Sequence, residues 1–394
     1  MRQGVRFLFG EDWREIAGGD PTMTALDWIR LVERRSGTKE GCAEGDCGAC
    51  TILVGAPHGA AMRYAPVDAC IRPLATLDGC HVLTVEHLRG ADGGAHAVQR
   101  AMVETHATQC GFCTPGFVMS LAALWLENPA PDDAAIEEAL QGNLCRCTGY
   151  APILEAGRRM GPSGDADRAA FTPMAARAAQ RLAGAAQESF CFGAEGRMLY
   201  APASLDELDA LCAAHPGATL FAGATDVGLW ITKRLDRPET LIWLGRLAAL
   251  RAIDESPQAL TLGAAVTYAE ARPALARLAP ALDSLIARIG GAQVRAMGTI
   301  GGNIANGSPI GDMPPALIAL DARLTLRGAR GRRTIALEDF FLAYGRQGRA
   351  AGEFVESVTI PAPGPNDLLR VWKISKRRDE DISSLCAAFR LTRR

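Results

Sequence analysis

The spacing of hydrophobic and polar residues changes along this chain, and the changes predict different kinds of structure. Near the N-terminus, short apolar runs predict strands over Val5 to Phe9 and Thr51 to Val54. After Ala95, apolar residues recur at helical spacing, which predicts an amphipathic helix over Ala97 to Glu104. From Arg197 onward, predicted strands and helices are mixed. The pattern therefore predicts an α+β protein with several domains.

Small polar residues mark the starts of several predicted helices. Thr24 is a candidate N-cap for a helix within Thr22 to Arg34, and Asp132 or Asp133 is one for the helix that ends near Leu140. Ser204 fills the same role for a helix over Leu205 to His215. In contrast, the stretch from Gly161 to Gln187 has few large apolar residues, so we predict a linker that is helical only in part.

The most informative stretch for chemistry runs from Gly41 to Thr51. Its cysteines Cys42, Cys47 and Cys50 have four and then two residues between them, and Cys70 follows later. This spacing is typical of a plant-type 2Fe–2S cluster, and the glycines of the loop allow its backbone to approach the sulfurs. A disulfide pair or a four-cysteine zinc site is the alternative, although zinc sites usually present two short C-x-x-C hooks.

A second group of cysteines lies in the helical region. Cys110 and Cys113 form a C-x-x-C hook, and Cys145 and Cys147 form a C-x-C hook. Both pairs precede predicted helices, whose free N–H groups suit an anionic cluster. A second 2Fe–2S cluster is the interpretation we favour, with a zinc site or a redox-active C-x-x-C as the alternatives. Because all eight positions are cysteine, a Rieske centre is excluded.

Composition narrows the function classes. The 394 residues carry a formal net charge of −2, so no basic field indicates nucleic acid or a membrane surface as a partner. No apolar run is long enough to span a bilayer, and the N-terminus does not resemble a signal peptide. Twelve cysteines without an export signal indicate reduced thiols or metal ligands, which predicts a cytoplasmic location.

Two glycine-rich stretches in the second half are candidate anion-binding segments. The longer one, Gly298 to Asp312, is predicted to be a loop whose amides approach a pyrophosphate, and Leu220 to Gly228 is a turn into a short helix. Neither has the glycine spacing of the dinucleotide fingerprint. Taken singly, each stretch is slightly better explained as an ordinary glycine turn.

Four motifs in this order resemble the molybdenum hydroxylase family, and in particular the iron–sulfur/flavin subunits of bacterial xanthine dehydrogenases. They are Gly-Cys-Ala-Glu-Gly-Asp-Cys-Gly-Ala-Cys, Gln-Cys-Gly-Phe-Cys-Thr-Pro-Gly, Leu-Cys-Arg-Cys-Thr-Gly-Tyr and Gly-Thr-Ile-Gly-Gly-Asn-Ile. The resemblance implies an α+β multidomain fold with a β-grasp 2Fe–2S ferredoxin-like domain, a four-helix-bundle 2Fe–2S domain and a two-part α+β FAD-binding domain of the vanillyl-alcohol-oxidase type. It also implies a C-terminal flavoprotein subdomain, which is expected to be truncated because the family's flavin domain continues past Arg394. The implied boundaries are 1–90 for the ferredoxin-like domain, 91–160 for the helical domain, 161–192 for the linker, 193–365 for the FAD-binding domain and 366–394 for the start of the C-terminal subdomain.

The resemblance also assigns roles to individual residues. It places Cys42, Cys47, Cys50 and Cys70 on the cluster nearer the flavin, and Cys110, Cys113, Cys145 and Cys147 on the cluster nearer the molybdenum. Gln109 matches a residue that meets the pterin across the subunit interface, and Ile289 stands where relatives often carry an aromatic residue beside the flavin. The remaining implied FAD contacts are Leu220, Phe221, Ala222, Gly223, Ala224, Thr225, Asp226, Val227, Thr299, Ile300, Gly301, Gly302, Asn303, Asn306, Asp312, Val355 and Lys373.

By the same resemblance, the chain is the electron-transfer half of an enzyme whose molybdopterin lies on a larger partner chain. Electrons would pass from molybdenum through two 2Fe–2S clusters to FAD and then to NAD+ during oxidation of hypoxanthine or xanthine to urate. The implied assembly is a heterotetramer of two small and two large chains. The alternatives are the same role for an aldehyde or another N-heterocycle, or a stand-alone iron–sulfur flavoprotein that reacts with NADH.

Overall fold

The computed structural model describes residues 1–59, 61–161, 165–185, 188–343 and 345–393. The chain divides into two compact units. Unit 1 comprises Met1–Met198, Val227–Arg237 and Gly291–Val294, and unit 2 comprises Leu199–Asp226, Pro238–Gly290 and Arg295–Arg394. No helix within the described ranges has both the length and the apolar character that crossing a bilayer requires.

Helices and strands alternate irregularly along the described parts of the chain. The strands are β1 (Arg2–Gln3), β2 (Val5–Phe9), β3 (Asp12–Ile16), β4 (Thr51–His58), β5 (Ala61–Asp68), β6 (His81–Leu83), β7 (Phe190–Ala194), β8 (Arg197–Ala201), β9 (Thr219–Phe221), β10 (Thr240–Trp243), β11 (Ile253–Glu255), β12 (Ala259–Gly263), β13 (Arg323–Gly328), β14 (Gly331–Ala336), β15 (Phe341–Ala343), β16 (Arg346–Gln347), β17 (Phe354–Pro361), β18 (Asp367–Ile374) and β19 (Leu385–Thr392). The helices are α1 (Ala25–Asp27), α2 (Ala97–Glu104), α3 (Thr114–Glu127), α4 (Asp133–Leu140), α5 (Ala151–Arg159), α6 (Asp165–Leu182), α7 (Leu205–Ala214), α8 (Val227–Thr232), α9 (Tyr268–Leu278), α10 (Pro280–Ile286), α11 (Ala292–Met297), α12 (Ile300–Asn306) and α13 (Met313–Ala319).

Unit 1 begins with a mixed five-stranded sheet in the order β3-β2-β6-β4-β5. Strands β2 and β6 run parallel, and the other neighbours are antiparallel. The Thr24 side chain accepts a hydrogen bond from the Asp27 amide at the start of α1, which continues as a π-helical turn over Trp28–Val32. The predicted cap and the β-grasp type of sheet are thereby confirmed.

Four helices, α2 to α5, form the second part of unit 1. They share an apolar core with the sheet, in which Leu53 and Leu83 pack with Phe117 and Trp125. The predicted helix Ala97–Glu104 has the observed bounds, and the predicted Asp132 cap accepts a hydrogen bond from the Ala135 amide at 2.9 Å. Local sequence therefore defines these helices well, because each carries both a cap and an apolar stripe.

The predicted linker is more ordered than its composition indicates. Residues Asp165–Leu182 form the 18-residue helix α6, while residues 162–164 and 186–187 of the predicted segment lie outside the described residues. Asp167 is buried and accepts hydrogen bonds from the amides of Ala91 and Ala97 and from Arg100. This carboxylate fixes α6 to the start of the helical part, a long-range contact that composition could not indicate.

One buried histidine of the sheet yields a pH prediction. Burial lowers the pKa of His81 to about 4 from the ordinary value of 6.5, so the folded protein keeps a neutral ring that bonds the Tyr64 hydroxyl and the Gly10 carbonyl. Below pH ~6.5 the unfolded chain takes up a proton that folded His81 takes up only near pH 4, so stability is lost across this window. We expect a loss of about 3 kcal/mol at most from this residue.

The measurement compares denaturant unfolding of the wild type and His81→Gln at pH 7 and pH 5, with iron content checked at both. Glutamine can make the same two hydrogen bonds without titrating, so its loss of stability should be smaller. His87, whose pKa burial also lowers to about 4, should leave a residual slope in the variant. An equal loss in both proteins would contradict the assignment to His81.

Unit 2 is built on an antiparallel sheet in the order β11-β12-β17-β13-β14. Its core joins this sheet to helices α9, α10, α12 and α13 through buried Leu262, Leu282, Ile300 and Leu317. A parallel pair, β9 and β10, and the helix α7 with its predicted Ser204 cap lie at the N-terminal side of this unit's sequence. The hairpin β18–β19 follows the sheet in sequence.

The glycine-rich stretch predicted as a loop contains a helix instead. Residues Ile300–Asn306 form α12, because Ile300 and Ile304, one turn apart, are both fully buried in the core of unit 2. Tertiary burial of these two isoleucines overcomes the low helix propensity of the two glycines between them. Helix α10, which precedes this stretch, begins at Pro280, a residue that suits the first turn of a helix, and ends at Ile286.

Candidate functional site

The four cysteines of the first predicted cluster come together in unit 1. The Sγ atoms of Cys50 and Cys70 are 3.3 Å apart although 20 residues separate them. Hydrogen bonds from the Cys47 and Cys70 thiols lower the pKa of Cys42, and the amides of Asp46 and Glu44 add to this effect at 3.4 Å from its Sγ. The same hydrogen bonds, together with burial, raise the pKa of Cys47 and Cys70, so the loop favours the thiolate form at Cys42 and the other two thiols must lose their protons when a cluster binds.

Glycines shape this loop in two ways. Gly45 and Gly48 have φ values of +77° and +63°, which glycine adopts without the strain that a side chain would cause. Gly41 does not have a positive φ, but a Cβ there would lie 2.7 Å from the Cys47 sulfur, so lack of a side chain is needed for space. At Gly48, a Cβ would lie 2.1 Å from the Gly142 carbonyl, which brings the first cysteine loop into contact with the segment leading to Cys145.

The second set of cysteines is also assembled, with one member of each pair from each hook. The thiols of Cys113 and Cys145 are hydrogen-bonded to each other, and so are the thiols of Cys110 and Cys147. Burial, together with the bond to Cys145, raises the pKa of the Cys113 thiol to about 12. Cys113 is the residue before α3, and its carbonyl accepts the Phe117 amide of that helix. Proton loss from this thiol must therefore accompany metal binding.

The close thiol pairs are compatible with a 2Fe–2S cluster, which spreads four thiolates over two irons. These pairs are Cys50–Cys70 in the first set and Cys113–Cys145 and Cys110–Cys147 in the second. Among the described residues, no group of three or more His, Cys, Asp or Glu side chains is placed to hold a metal ion. All twelve cysteines are free thiols.

The second thiol group reaches the surface, whereas half of the first is buried. Cys110 and Cys147 are exposed, and Cys50 and Cys70 are buried. Exposed apolar side chains accompany the second group, namely Phe112, Leu144 and Tyr150, which are 46%, 42% and 37% exposed. Gln109 is exposed as well. An apolar rim beside reactive sulfurs is typical of a protein–protein contact.

Helix α8 and the residue after it contact two segments that carry cysteines of the first set. Sequence reasoning did not connect this helix with those cysteines. The Thr232 hydroxyl donates to the Ala43 carbonyl at 2.7 Å, and Lys233 donates to the Cys42 carbonyl and pairs with Glu44 at 3.2 Å. A Cβ at Gly228 would lie 2.4 Å from the carbonyl of Ile71, the residue after Cys70. The helix thus supports both the Cys42 and the Cys70 segments. No local motif in the sequence indicates this, because some 190 residues separate the partners.

The Lys233 contact predicts a shift in redox potential. Replacing Lys233 by Met removes a cation beside an anionic cluster, which should lower the potential of the cluster assigned to Cys42, Cys47, Cys50 and Cys70. We expect a shift on the order of 20 mV, since the ammonium is partly exposed and screened. Spectroelectrochemical titration measures it. Arg158→Met, which removes an exposed ion-paired cation of α5, is the control. Equal potentials in the two variants would contradict the prediction.

The predicted flavin segments of unit 2 meet each other through close backbone contact. A Cβ at Gly223 would lie 1.8 Å from the Met297 carbonyl, so the turn after β9 packs against the residue that precedes Gly298. Thr299 is the N-cap of α12 and accepts the Gly302 amide at 3.0 Å. The buried Asn303 Oδ1 has no hydrogen-bond partner within the described residues. This unpartnered acceptor and the close-packed glycine backbone fit a bound cofactor.

Asp312 is the centre of a buried polar group in unit 2. Its carboxylate accepts hydrogen bonds from Lys373 at 2.7 Å and from Ser383, and its main-chain oxygen lies 3.4 Å from the Cys386 sulfur. Burial, with the nearby Asp312 charge, raises the pKa of Tyr268, whose hydroxyl has no partner within the described residues. Asp312 and Lys373, both predicted as flavin contacts, are thus bonded to each other. Tyr268, which stands in no recognisable motif, was not among the predicted residues.

Other predicted flavin residues take varied positions. The Val355 side chain is 5% exposed and belongs to the core, and Ile289 packs on the same core. Asn306 is exposed at the end of α12. Val227 begins α8 and belongs to unit 1. The segment assigned to the turn contains Leu220, Phe221, Ala222, Ala224, Thr225 and Asp226, all in unit 2.

Comparison with known proteins places these features in a family. Residues 191–363 match the family described as FAD binding domain in molybdopterin dehydrogenase, and residues 84–158 match the family described as [2Fe-2S] binding domain. The chain is 34% identical to a xanthine dehydrogenase of Drosophila subobscura and 32% identical to one of Emericella nidulans, over 94% and 95% of its own length. It spans about a third of the length of these relatives, 32% and 31%.

A solved structure, reconstituted CO dehydrogenase from Oligotropha carboxidovorans, is 29% identical, with a TM-score of 0.47 over 49% of this chain and 68% of that one. The [2Fe-2S] match contains Cys110, Cys113, Cys145 and Cys147, and the FAD-binding match contains both glycine-rich segments, whereas Cys42, Cys47, Cys50 and Cys70 lie outside the two matches. The chain therefore contains an FAD binding domain of the molybdopterin dehydrogenase kind and a [2Fe-2S] binding domain, and its sequence identities support a chain of the xanthine dehydrogenase type.

Proposed function

We propose that this chain is the electron-transfer subunit of a xanthine dehydrogenase. The single observation that carries the proposal is the contrast between its two thiol groups: one reaches the surface beside an apolar rim, and the other is half buried. When bound, the cofactors supply one- and two-electron chemistry, in the order molybdenum on a partner chain, two 2Fe–2S clusters, FAD and NAD+.

The exposure of the second cysteine set supports the proposal that electrons enter the chain there. Cys110 and Cys147 are accessible, so a centre held there can approach a redox group on another protein. Phe112, Leu144 and Tyr150 supply the apolar contact that would exclude water from such an interface. Gln109, exposed beside Cys110, is proposed to contact the partner's pterin.

The partial burial of the first cysteine set supports the proposal that its cluster follows the exposed one in the electron-transfer order. The amides of Glu44 and Asp46 and the ammonium of Lys233 stabilise negative charge at this loop. We propose that FAD is held by Leu220–Val227, Thr299–Asn303, Asn306 and Asp312, with Ile289, Val355 and Lys373 nearby. In that assignment Asn303 and Tyr268 supply polar atoms that no described protein group satisfies.

The finer parts of the proposal concern substrate, assembly and place. We propose oxidation of hypoxanthine and xanthine to urate, with NAD+ as acceptor and an assembly of two small and two large chains. The eight predicted cysteine ligands indicate a reducing compartment, so we propose the cytoplasm. The five-part domain division of the sequence belongs to the same proposal.

A metal and cofactor count tests the proposal. The protein is purified from its own cells with its partner attached, and iron, molybdenum, zinc and flavin are measured per chain. We expect about four irons and one FAD, with molybdenum on a larger co-purifying chain. Zinc in place of iron, or no flavin, would overturn the proposal. A flavin-containing monomer that never carries a molybdenum chain would indicate a stand-alone NADH-reactive carrier. Turnover of an aldehyde instead of xanthine would change the substrate class alone.

A further inference from the structure

One buried glutamine connects the two cysteine loops of unit 1. Gln293 lies in the stretch that matches the FAD-binding family, but its segment Gly291–Val294 belongs to unit 1. Its side chain is 1% exposed. Its Nε2 donates to Thr51 Oγ1 at 3.0 Å and lies 3.1 Å from both Ser120 Oγ and Asn143 Oδ1. These partners are 242, 173 and 150 residues away in sequence.

Each partner lies on a segment that carries or directly follows a predicted cluster ligand. Thr51 follows Cys50 of the first set directly, and Asn143 stands two residues before Cys145 of the second. Ser120 lies on α3, the helix that begins directly after Cys113. Gln293 therefore bonds to segments that carry cysteines of the first set and of the second set.

The partners also bond one another across the two loops. Asn143 Nδ2 donates to the Gly48 carbonyl at 3.2 Å, and Ser120 donates to Asn143 Oδ1 at 2.7 Å. The Leu144 amide donates to the Cys47 carbonyl at 3.0 Å. All four side chains of the network are at most 5% exposed. A buried and connected set of this kind holds its members in one arrangement.

The orientation of the Gln293 amide follows from its neighbours. The Thr51 hydroxyl donates to the Gly48 carbonyl and the Ser120 hydroxyl donates to Asn143, so both have lone pairs left to accept from Nε2. The Oε1 atom faces Gly142, where a Cβ would lie 2.2 Å away, and it has no partner within the described residues. The NH2 group of the Gln293 side chain, and not its carbonyl oxygen, therefore makes the hydrogen bonds to the two loops.

We propose that Gln293 is a positioning residue that holds the two cluster loops against each other and so sets the magnetic and electronic coupling between the clusters. The inference rests on the proposed function, because it takes the eight cysteines as cluster ligands. Without this amide, the loops keep the direct bonds Leu144–Cys47 and Asn143–Gly48 but lose the contact that joins Thr51 to Ser120 and Asn143. A small change in their separation follows, and dipolar coupling falls with the cube of the distance.

The test replaces Gln293 by Met, which has a similar length and volume but no amide. Thr51 and Ser120 keep their other hydrogen bonds, so no hydroxyl is left without a partner. Gln99→Met is the matched control. It removes a partly buried hydrogen bond of unit 1, which Gln99 accepts from the His96 amide and which does not join the cysteine loops. The full protein is reduced completely, and electron paramagnetic resonance records the interaction between the two reduced clusters.

We expect Q293M to keep about four irons per chain and both cluster signals, while the splitting or relaxation enhancement caused by the second cluster is measurably weaker than in the wild type. Q99M should match the wild type. Unchanged interaction in Q293M would overturn the inference. If Q293M loses iron, Ser120→Ala, which removes one partner of the amide, takes its place; we expect weaker interaction there, and an unchanged one would overturn the inference. Absence of two 2Fe–2S signals in the wild type would instead be a failure of the proposed function.

Discussion

Replacing Cys113 by Ser is expected to abolish one of two 2Fe–2S signals and to lower the iron content from about four to about two per chain. The hydroxyl of serine is not deprotonated at neutral pH, and Cys113 is paired with Cys145 between the two hooks of the second set. The other signal should remain, because the first set is assembled from a separate loop and Cys70.

Two further variants complete this experiment. Cys50→Ser should abolish the other signal and leave the one lost in Cys113→Ser, since Cys50 lies beside Cys70. Cys191→Ser is the matched control, because Cys191 is a half-buried thiol of β7 outside both sets. Electron paramagnetic resonance and iron analysis provide the measurement. Survival of both signals in Cys113→Ser would show that this residue is not a ligand.

Asp312→Ala is expected to have the largest effect on unit 2, in both stability and flavin content. Removal of this carboxylate leaves the Lys373 ammonium, whose side chain is 4% exposed, as an unpaired charge in a buried place. Loss of one partner of a buried ion pair costs about 3–5 kcal/mol. We also expect FAD to be retained poorly, because Asp312 lies among the predicted flavin residues and faces Tyr268.

The double variant Asp312→Ala with Lys373→Met separates the two effects. Removing both charges should restore most of the stability, since no buried charge is left unpaired. Flavin content should stay low in the double variant if the Asp312–Lys373 pair contacts the cofactor, since both residues are among the predicted flavin contacts. Denaturant unfolding and the ratio of flavin to protein absorbance are the measurements. Flavin content that is normal in Asp312→Ala would refute the contact, and flavin that returns in the double variant would assign the loss to instability.

Local sequence was sufficient for elements whose cause is local. Thr24, Asp132 and Ser204 were predicted as N-caps from residue type and position, and each accepts a hydrogen bond from an amide of its own helix. The amphipathic helix Ala97–Glu104 was predicted with its observed bounds. These predictions succeeded because a cap and an apolar stripe act within one or two helical turns.

Local reasoning failed where distant residues decide the conformation. The stretch after Gly298 was predicted to be a loop from its glycines, but buried Ile300 and Ile304 make part of it the helix α12. For the stretch after Gly161, predicted to be a partly helical linker, local sequence did not indicate that Asp167 fixes helix α6 to Ala91 and Ala97. Propensity is a weak preference in both places, and a buried contact outweighs it.

By itself, the sequence determined the chemistry of this protein: cysteine spacing in two sets, a family resemblance that the comparisons support, and the residue types of a flavin-binding half. Only the tertiary structure decided how the sets are held. Lys233 donates a hydrogen bond to the Cys42 carbonyl, and Gln293 joins the two cysteine loops although it is more than 100 residues from each in sequence. The physical reason is that ligand spacing is written in short stretches of chain, whereas a buried hydrogen bond forms between whichever residues the fold brings within about 3 Å of each other.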